Sequence, residues 1–303
     1  MLMKQEQKKN VFIYGMLLPA LIMELFIHIT PLLLGVVVSV KNVGLRTMGD
    51  WIHASFVGAD NYLEFLKPGS TMNSQFWTSS GVTLKYGLIA KIFHFLLGFW
   101  GALLLNRNFK GRGIFRVIFM LPYAVPSFIS AIAWKFMFQK EWGLINYFLV
   151  DVVHLISEKP FWLVGDNAIY AVIVAQVWRG WSFHFIMILA GLQTIPTHLY
   201  EAATIDGAGP FTQFRVITLP ELKPILTTLI VVNGMKIFNE FETTFVMLSE
   251  NPPASANVMS VNIYKQAFGN FNFGVASANA IIWVVIIFAV SWMLNKLLRL
   301  KED

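Results

Sequence analysis

The chain of 303 residues has no cysteine. That excludes disulfides, thiolate metal sites, iron–sulfur clusters and cysteine nucleophiles. Charge is scarce too: only 13% of residues are Asp, Glu, Lys or Arg, about half of what a soluble domain of this length carries. No G-x-x-x-x-G-K-[ST] run occurs, so the chain has no phosphate loop of that kind for ATP. The six histidines lack metal-ligand spacing such as H-E-x-x-H. No nucleophile–base pair, internal repeat or low-complexity segment stands out.

What the chain has in abundance is apolar surface. Hydrophobic residues make up 56%, with 27 Phe and 10 Trp, and the mean hydropathy is +0.61. Six apolar segments lie at about 11–40, 82–105, 114–138, 168–192, 224–248 and 275–298. Each exceeds the roughly 20 residues that cross a hydrocarbon core as a helix. Helices satisfy their own backbone groups in lipid. The pattern therefore predicts an all-α, polytopic membrane protein with six transmembrane helices. The first segment contains Pro19 and Pro31. It is longer than a signal-peptide core of about 7–15 residues, and no small-residue cleavage site follows, so it is expected to remain as an uncleaved first helix.

A net charge of +6 would suit a nucleic acid, but the cations sort by membrane side instead. One side carries Lys4, Lys8, Lys9, Arg107, Lys110, Arg112, Arg116, Arg215, Lys223, Lys296, Arg299 and Lys301. The other carries Lys41, Arg46, Lys67, Lys140, Lys159 and Lys265 on longer connections. The excess of Lys and Arg places both termini in the cytoplasm. Extracytoplasmic connections are then expected at about 41–81, 139–167 and 249–274, the first two long enough for short helices. Lys85 and Lys91, near the start of the second segment, are expected to snorkel outward.

Between the fourth and fifth segments lies a polar island, Glu201-Ala202-Ala203-Thr204-Ile205-Asp206-Gly207-Ala208-Gly209-Pro210. Thr194 is a candidate cap, with Pro196 near the first helical position. Residues 197–205 would form about two turns. Ala202 and Ala203 keep that helix thin enough for a groove in another protein. Leu199 and Ile205 offer apolar contact, and Glu201 offers a charge to a partner Arg or Lys. Asp206-Gly207 ends the helix. Pro210 opens a second short helix, and Leu219-Pro220 and Lys223-Pro224 mark the return to the membrane. A plain amphipathic turn would explain one Gly and one Pro, but not this many identities at this spacing.

The pattern E-A-A-x-x-D-G-A-x5-F-x2-I-x-L-P resembles the EAA loop of ABC-importer permeases. Ile263-Tyr264-Lys265-Gln266-Ala267-Phe268, Phe273-Gly274-Val275-Ala276-Ser277-Ala278 and Leu18-Pro19-Ala20-Leu21 resemble maltose-type oligosaccharide permeases. Ile217-Thr218-Leu219-Pro220 is closer to the first permease of that heterodimer. The resemblance implies a type I ABC importer permease fold over 1–303 as a single domain, with a coupling loop at about 194–220, in a bacterial inner membrane. It implies ATPase coupling through Leu199, Glu201, Ala202, Ala203, Asp206, Gly207 and Ala208. The implied partners are a second permease, two ATPases and a periplasmic or lipid-anchored solute-binding protein, with a sugar as cargo. ATP and Mg would sit on the partner ATPase, with no cofactor in this chain. Where the family often has Thr-x-Gly-Gly-Pro, this chain has Leu248-Ser249-Glu250-Asn251-Pro252-Pro253, so its contact with a binding protein would differ.

Ionisable groups inside the membrane are costly and usually face a cavity or a partner. The fourth segment holds Gln176, Trp178, Arg179, Gly180, Trp181, Phe183 and His184; the fifth holds Asn233, Lys236, Asn239, Glu240 and Glu242. Placement by resemblance nominates Gln176, Arg179, Gly180, Phe183, Asn233, Lys236, Ile237 and Glu240 as substrate-binding. Amides suit sugar hydroxyls, and aromatic faces suit sugar C–H surfaces. A neutral sugar does not need Arg179 and Lys236. Two readings stay open: an acidic cargo, such as the uronates of alginate-type importers, or internal pairing, of Lys236 with Glu240 at i, i+4 and of Arg179 with Glu240, Glu242 or the partner permease. His28 and His184 are expected to be packed polar residues, and Trp134, Trp283 and Trp292 interface or packing residues. A non-sugar ABC permease and a secondary transporter are the alternatives.

Overall fold

The computed structural model describes the backbone over residues 2–299 and side chains over 12–297. The side chains of Lys4, Lys8, Lys9, Arg299 and Lys301, five of the orienting cations, lie outside the described residues. The chain is helical nearly throughout. Among the described residues, the only bridges outside helices pair Lys41 with Phe56 and Gly44 with Asn272. Among the described residues, five helical stretches are long and apolar enough to span a membrane: Phe12–Ser39, Thr71–Asn106, Gly165–Thr194, Pro210–Leu248 and Phe273–Leu297. A pair bent by 90°, Arg112–Ala124 with Ser127–Met137, brings the number to six when it is counted as one span.

The first span is α1 (Leu2–Glu24), a π-turn (Leu25–Ile29) and α2 (Thr30–Ser39). Then come α3 (Asp60–Leu66), α4 (Thr71–Asn106), α5 (Arg112–Ala124) and α6 (Ser127–Met137). A short α7 (Leu144–Asn146) precedes α8 (Ala168–Thr194). α9 (Thr197–Ile205) and α10 (Pro210–Gln213) form the island. α11 (Leu219–Phe238), α12 (Glu242–Leu248), α13 (Met259–Tyr264) and α14 (Phe273–Arg299) complete the order. Short helices thus occupy all three expected connections. In the second, buried Asn146 donates to the Lys140 and Pro160 carbonyls (2.9 and 3.1 Å) and accepts from Trp162 Nε1 at 2.7 Å.

Contacts divide the chain into two units, residues up to Asn73 with Gln266–Ile282, and Ser74–Lys265 with the residues from Trp283 on. In the first unit, none of the first span's apolar window is buried within the chain. His28 departs from expectation. It is not packed but exposed, with Nδ1 3.1 Å from Glu24 Oε2 one helical turn away. The connection after α2 is held by Asn61, whose Nδ2 donates to the Ser39 and Lys41 carbonyls at 2.8 and 2.9 Å.

In the second unit α8 is central. Half of its apolar window is buried, and it packs against α5, α6, α11 and α12. Small residues let neighbours approach closely: Ala168, Ala171 and Ala175 join Tyr86, Ala90 and Met247 in one core cluster. Phe185, Ile188 and Leu192 join Ala102, Leu222 and Leu229 in a second. Trp134 packs against Phe138 and Trp178, Trp283 is buried, and Trp292 is exposed.

Two segments expected to be straight spans are broken. The third bends by 90° between α5 and α6. The cause is local: Val125, just before Pro126, is extended (φ −73°, ψ 128°), the conformation that a following proline favours. The fifth breaks at Asn239–Phe241, between α11 and α12. The island also differs from two separate short helices. α10 runs through a π-turn (Phe214–Thr218) straight into α11.

Candidate functional site

The two breaks and the facing sides of α8 and α11 line a half-open cavity of about 380 Å³. All eight residues nominated from the sequence line it: Gln176, Arg179, Gly180, Phe183, Asn233, Lys236, Ile237 and Glu240. The helical period explains part of this, because 176, 179, 180 and 183 share one face of α8, as do 233, 236 and 237 on α11. The structure adds His94, Tyr123, Ser127, Thr228 and Glu242 to the wall. Ser127 and Glu242 sit at the first residues after the two breaks. Pro126 was the sequence signal for the first break; no proline marks the second.

One oxygen of each cavity carboxylate is engaged. Glu240 Oε1 accepts from the Thr243 amide at 2.8 Å and lies 2.8 Å from the Thr243 hydroxyl. Glu242 Oε2 accepts from the Ser127 hydroxyl, joining the two breaks. The cations differ. Neither Arg179 nor Lys236 pairs with a carboxylate among the described residues, and Arg179 Nε is buried without a partner. The i, i+4 pairing of Lys236 with Glu240 fails because α11 ends at Phe238, so the two do not share a helical face.

Gly180 is required by close approach. A Cβ there would lie 2.1 Å from His94 Nε2. That nitrogen donates to the Gln176 carbonyl at 3.0 Å. Phe183 and Tyr123 place two rings on the wall, with centroids 5.4 Å apart. His184 is fully buried, as expected of a packed polar residue. Lys91 does not snorkel outward. Its Nζ turns inward to His184 Nε2 (3.2 Å), Asn233 Oδ1 (2.9 Å) and the Leu229 carbonyl. Lys91 lies mid-way along α4, which begins at Thr71, well before the apolar run. Lys85 is exposed, with Nζ 3.1 Å from the Tyr170 hydroxyl. No group of three or more His, Asp or Glu able to hold a metal occurs among the described residues.

The island is the second site. Thr194 does not cap α9: it is the last residue of α8, and its hydroxyl donates to the Gly191 carbonyl at 2.9 Å. Pro196 stands at the N-cap rather than inside the helix. The C-terminus explains the D-G-A run. Gly207 has φ +82°, its N–H reaches the Thr204 carbonyl (3.1 Å), and the Ala208 N–H reaches the Ala203 carbonyl (2.8 Å). This is a Schellman cap with glycine in the left-handed position. Gln213 Nε2 clips the turn by donating to Thr204 Oγ1 (2.9 Å) and the Ala208 carbonyl (3.0 Å).

Glu201, Ala202, Asp206 and Gly207 are exposed, while Ala203 and Ala208 are half-buried. Leu199 faces the other way and packs with Tyr200 against the chain's own core. The exposed apolar groups are instead Ile205 (86%) and Phe211 (77%). Sequence reasoning did not single out Phe211, although a Phe following Pro210 in a polar island is a visible signal. The island is fastened to the spans. The Tyr200 and Thr218 hydroxyls are 2.9 Å apart, and Phe214 meets Phe99 of α4 edge-on at 5.8 Å.

A family model described as "Binding-protein-dependent transport system inner membrane component" matches residues 94–300. The inner membrane ABC transporter permease protein YcjO of Escherichia coli K12 is 33% identical over 254 residues, 83% of each chain. The trehalose/maltose transport system permease protein MalF of Thermococcus litoralis is 34% identical over 253 residues, 82% of this chain and 81% of that one. In fold, the chain resembles one from a bacterial ABC transporter involved in the import of the acidic polysaccharide alginate, with TM-score 0.80 and 21% identity over 99% of both chains. The chain belongs to the binding-protein-dependent transport system inner membrane components, the multi-pass permeases of ABC importers, and has the type I permease fold.

Proposed function

We propose that this permease carries an oligosaccharide into the cell, that the cargo is acidic, and that the cavity between α8 and α11 holds it. The observation that carries the reading is that neither cation on the wall is ion-paired among the described residues. Glu240 and Glu242 are engaged by Thr243 and Ser127, while Arg179 and Lys236 stand on the wall without a carboxylate. A cation kept unpaired in a membrane protein is costly unless something else neutralises it, and an Arg guanidinium binds a carboxylate bidentately. The tyrosine and phenylalanine rings suit the C–H faces of a sugar. The name of one relative, trehalose/maltose, supports a sugar cargo, and that of the structural neighbour, alginate, supports an acidic one.

In this reading the chain pairs with a second permease above two ATPase subunits, which bind ATP and Mg. A solute-binding protein delivers the cargo from outside. Both termini and the island face the cytoplasm. Ala202, Ala203, Ile205 and Phe211 seat the island in the ATPase, and Glu201 pairs with a basic residue there. When ATP closes the ATPase pair, α9 moves with it. Tyr200–Thr218 and Phe214–Phe99 pass the motion to α11 and α4, so the cavity opens to alternate sides. Purified complex in liposomes, loaded with its binding protein, tests the cargo. Arg179→Gln with Lys236→Gln is expected to abolish stimulation of ATP hydrolysis by uronate oligomers. Unchanged stimulation would reject the acidic cargo.

A further inference from the structure

Lys91 is a cation that the site does not use for contact. Its ammonium carries three N–H donors, and three acceptors surround it: His184 Nε2, the Leu229 carbonyl and Asn233 Oδ1. The His184 tautomer is fixed from the far side. Its Nδ1 lies 3.1 Å from the Gly180 carbonyl, which can only accept, so Nδ1 carries the proton and Nε2 accepts from Lys91. The consequence falls on Asn233. An amide beside an ammonium must turn its oxygen toward it. Asn233 also lines the cavity, so the group left for the cavity is its NH2. Arg179 and Lys236 on the same wall are donors as well.

We propose that Lys91 is a positioning residue that sets cargo selectivity: held by α8 and α11, it locks the Asn233 amide so that its NH2 joins Arg179 and Lys236 as donors to the cavity, selecting ligands rich in acceptors, such as carboxylated oligosaccharides, over neutral ones. This rests on the reading that the cavity holds the cargo.

The test is equilibrium binding of an alginate tetrasaccharide and of maltotetraose to the purified importer complex in nanodiscs, without binding protein. Lys91→Met keeps the apolar stem and frees the amide to turn. It is expected to weaken tetra-uronate binding about tenfold, as for loss of one charge-assisted contact, without weakening maltotetraose, so the affinity ratio collapses. Asn233→Ala should weaken tetra-uronate to a similar degree. Adding Lys91→Met to Asn233→Ala should change the ratio no further, because Lys91 acts through Asn233. Asn233→Asp keeps Lys91 paired but replaces the donor with an acceptor, and is expected to disfavour tetra-uronate even if Lys91→Met fails to fold. If Asn233→Ala weakens tetra-uronate while Lys91→Met leaves the ratio intact, or the two effects add, the cavity still holds cargo and the role of Lys91 is overturned. If wild type binds neither probe, or Asn233→Ala has no effect, the cavity reading falls and this proposal falls with it.

Discussion

Replacing Gly207 tests the island through one backbone angle. Gly207 has φ +82° and closes α9 with two hydrogen bonds, Gly207 N–H to the Thr204 carbonyl and Ala208 N–H to the Ala203 carbonyl. Nothing lies within 4 Å of a Cβ built there, so space is not the issue. An L-residue in the left-handed region costs roughly 1–2 kcal/mol, least for Asn, which tolerates that region. Gly207→Ala should therefore cost about 1 kcal/mol and Gly207→Val about 2 kcal/mol or more, since β-branching adds to the clash. Those costs reduce the ratio of capped to uncapped island by factors of about 5 and about 30. The cap is exposed, so the spans should be untouched. The assay is cargo uptake per ATP hydrolysed by the complex in liposomes. Coupling should fall in the order Gly, Asn, Ala, Val, with thermal unfolding of the complex unchanged. Full coupling in Gly207→Val would refute the reasoning, as would an equal loss in Gly207→Asn and Gly207→Val.

Gly180→Ala places a Cβ 2.1 Å from His94 Nε2, which must displace the ring and break its bond to the Gln176 carbonyl; overpacking of about 1–3 kcal/mol should lower the melting temperature of the complex, and His94→Ala should restore it. A wild-type melting temperature in the single variant would contradict this packing. Topology can be read directly, because the natural chain has no cysteine to mask. Phe56→Cys, at a site 74% exposed in the first connection, should react with a membrane-impermeant thiol reagent added outside whole cells, whereas Asp206→Cys should react only after the membrane is opened. The reverse pattern would invert the proposed orientation.

Much of the fold was legible because lipid imposes a simple rule: long apolar runs must be helices. Hydropathy alone does not see breaks, however. Residues 114–138 and 224–248 read as straight spans, yet Pro126 bends the first, and the second stops at Asn239 with no proline to announce it. Those breaks bring Ser127 and Glu242 to the cavity and separate Lys236 from Glu240, so the i, i+4 reading failed for a reason outside the local sequence. Lys91 was misjudged because a lysine on an apolar helix looks the same whether its tip reaches water or a half-buried amide of another helix; only the positions of His184 and Asn233 on other helices decide. In the island, Asp206-Gly207 correctly marked the helix end. Leu199 and Ile205 could not be told apart by type, and packing against Tyr200 and the α8 core turned Leu199 inward while Ile205 stayed exposed.

The central claim is that α9 is gripped by a nucleotide-driven motor. Glu201→Cys, the only thiol in the otherwise cysteine-free chain, should cross-link to an ATPase subunit in the assembled complex through a short bifunctional reagent, with a yield that changes when ATP is added. Failure to capture an ATPase from this position, in a complex that still transports, would contradict the account.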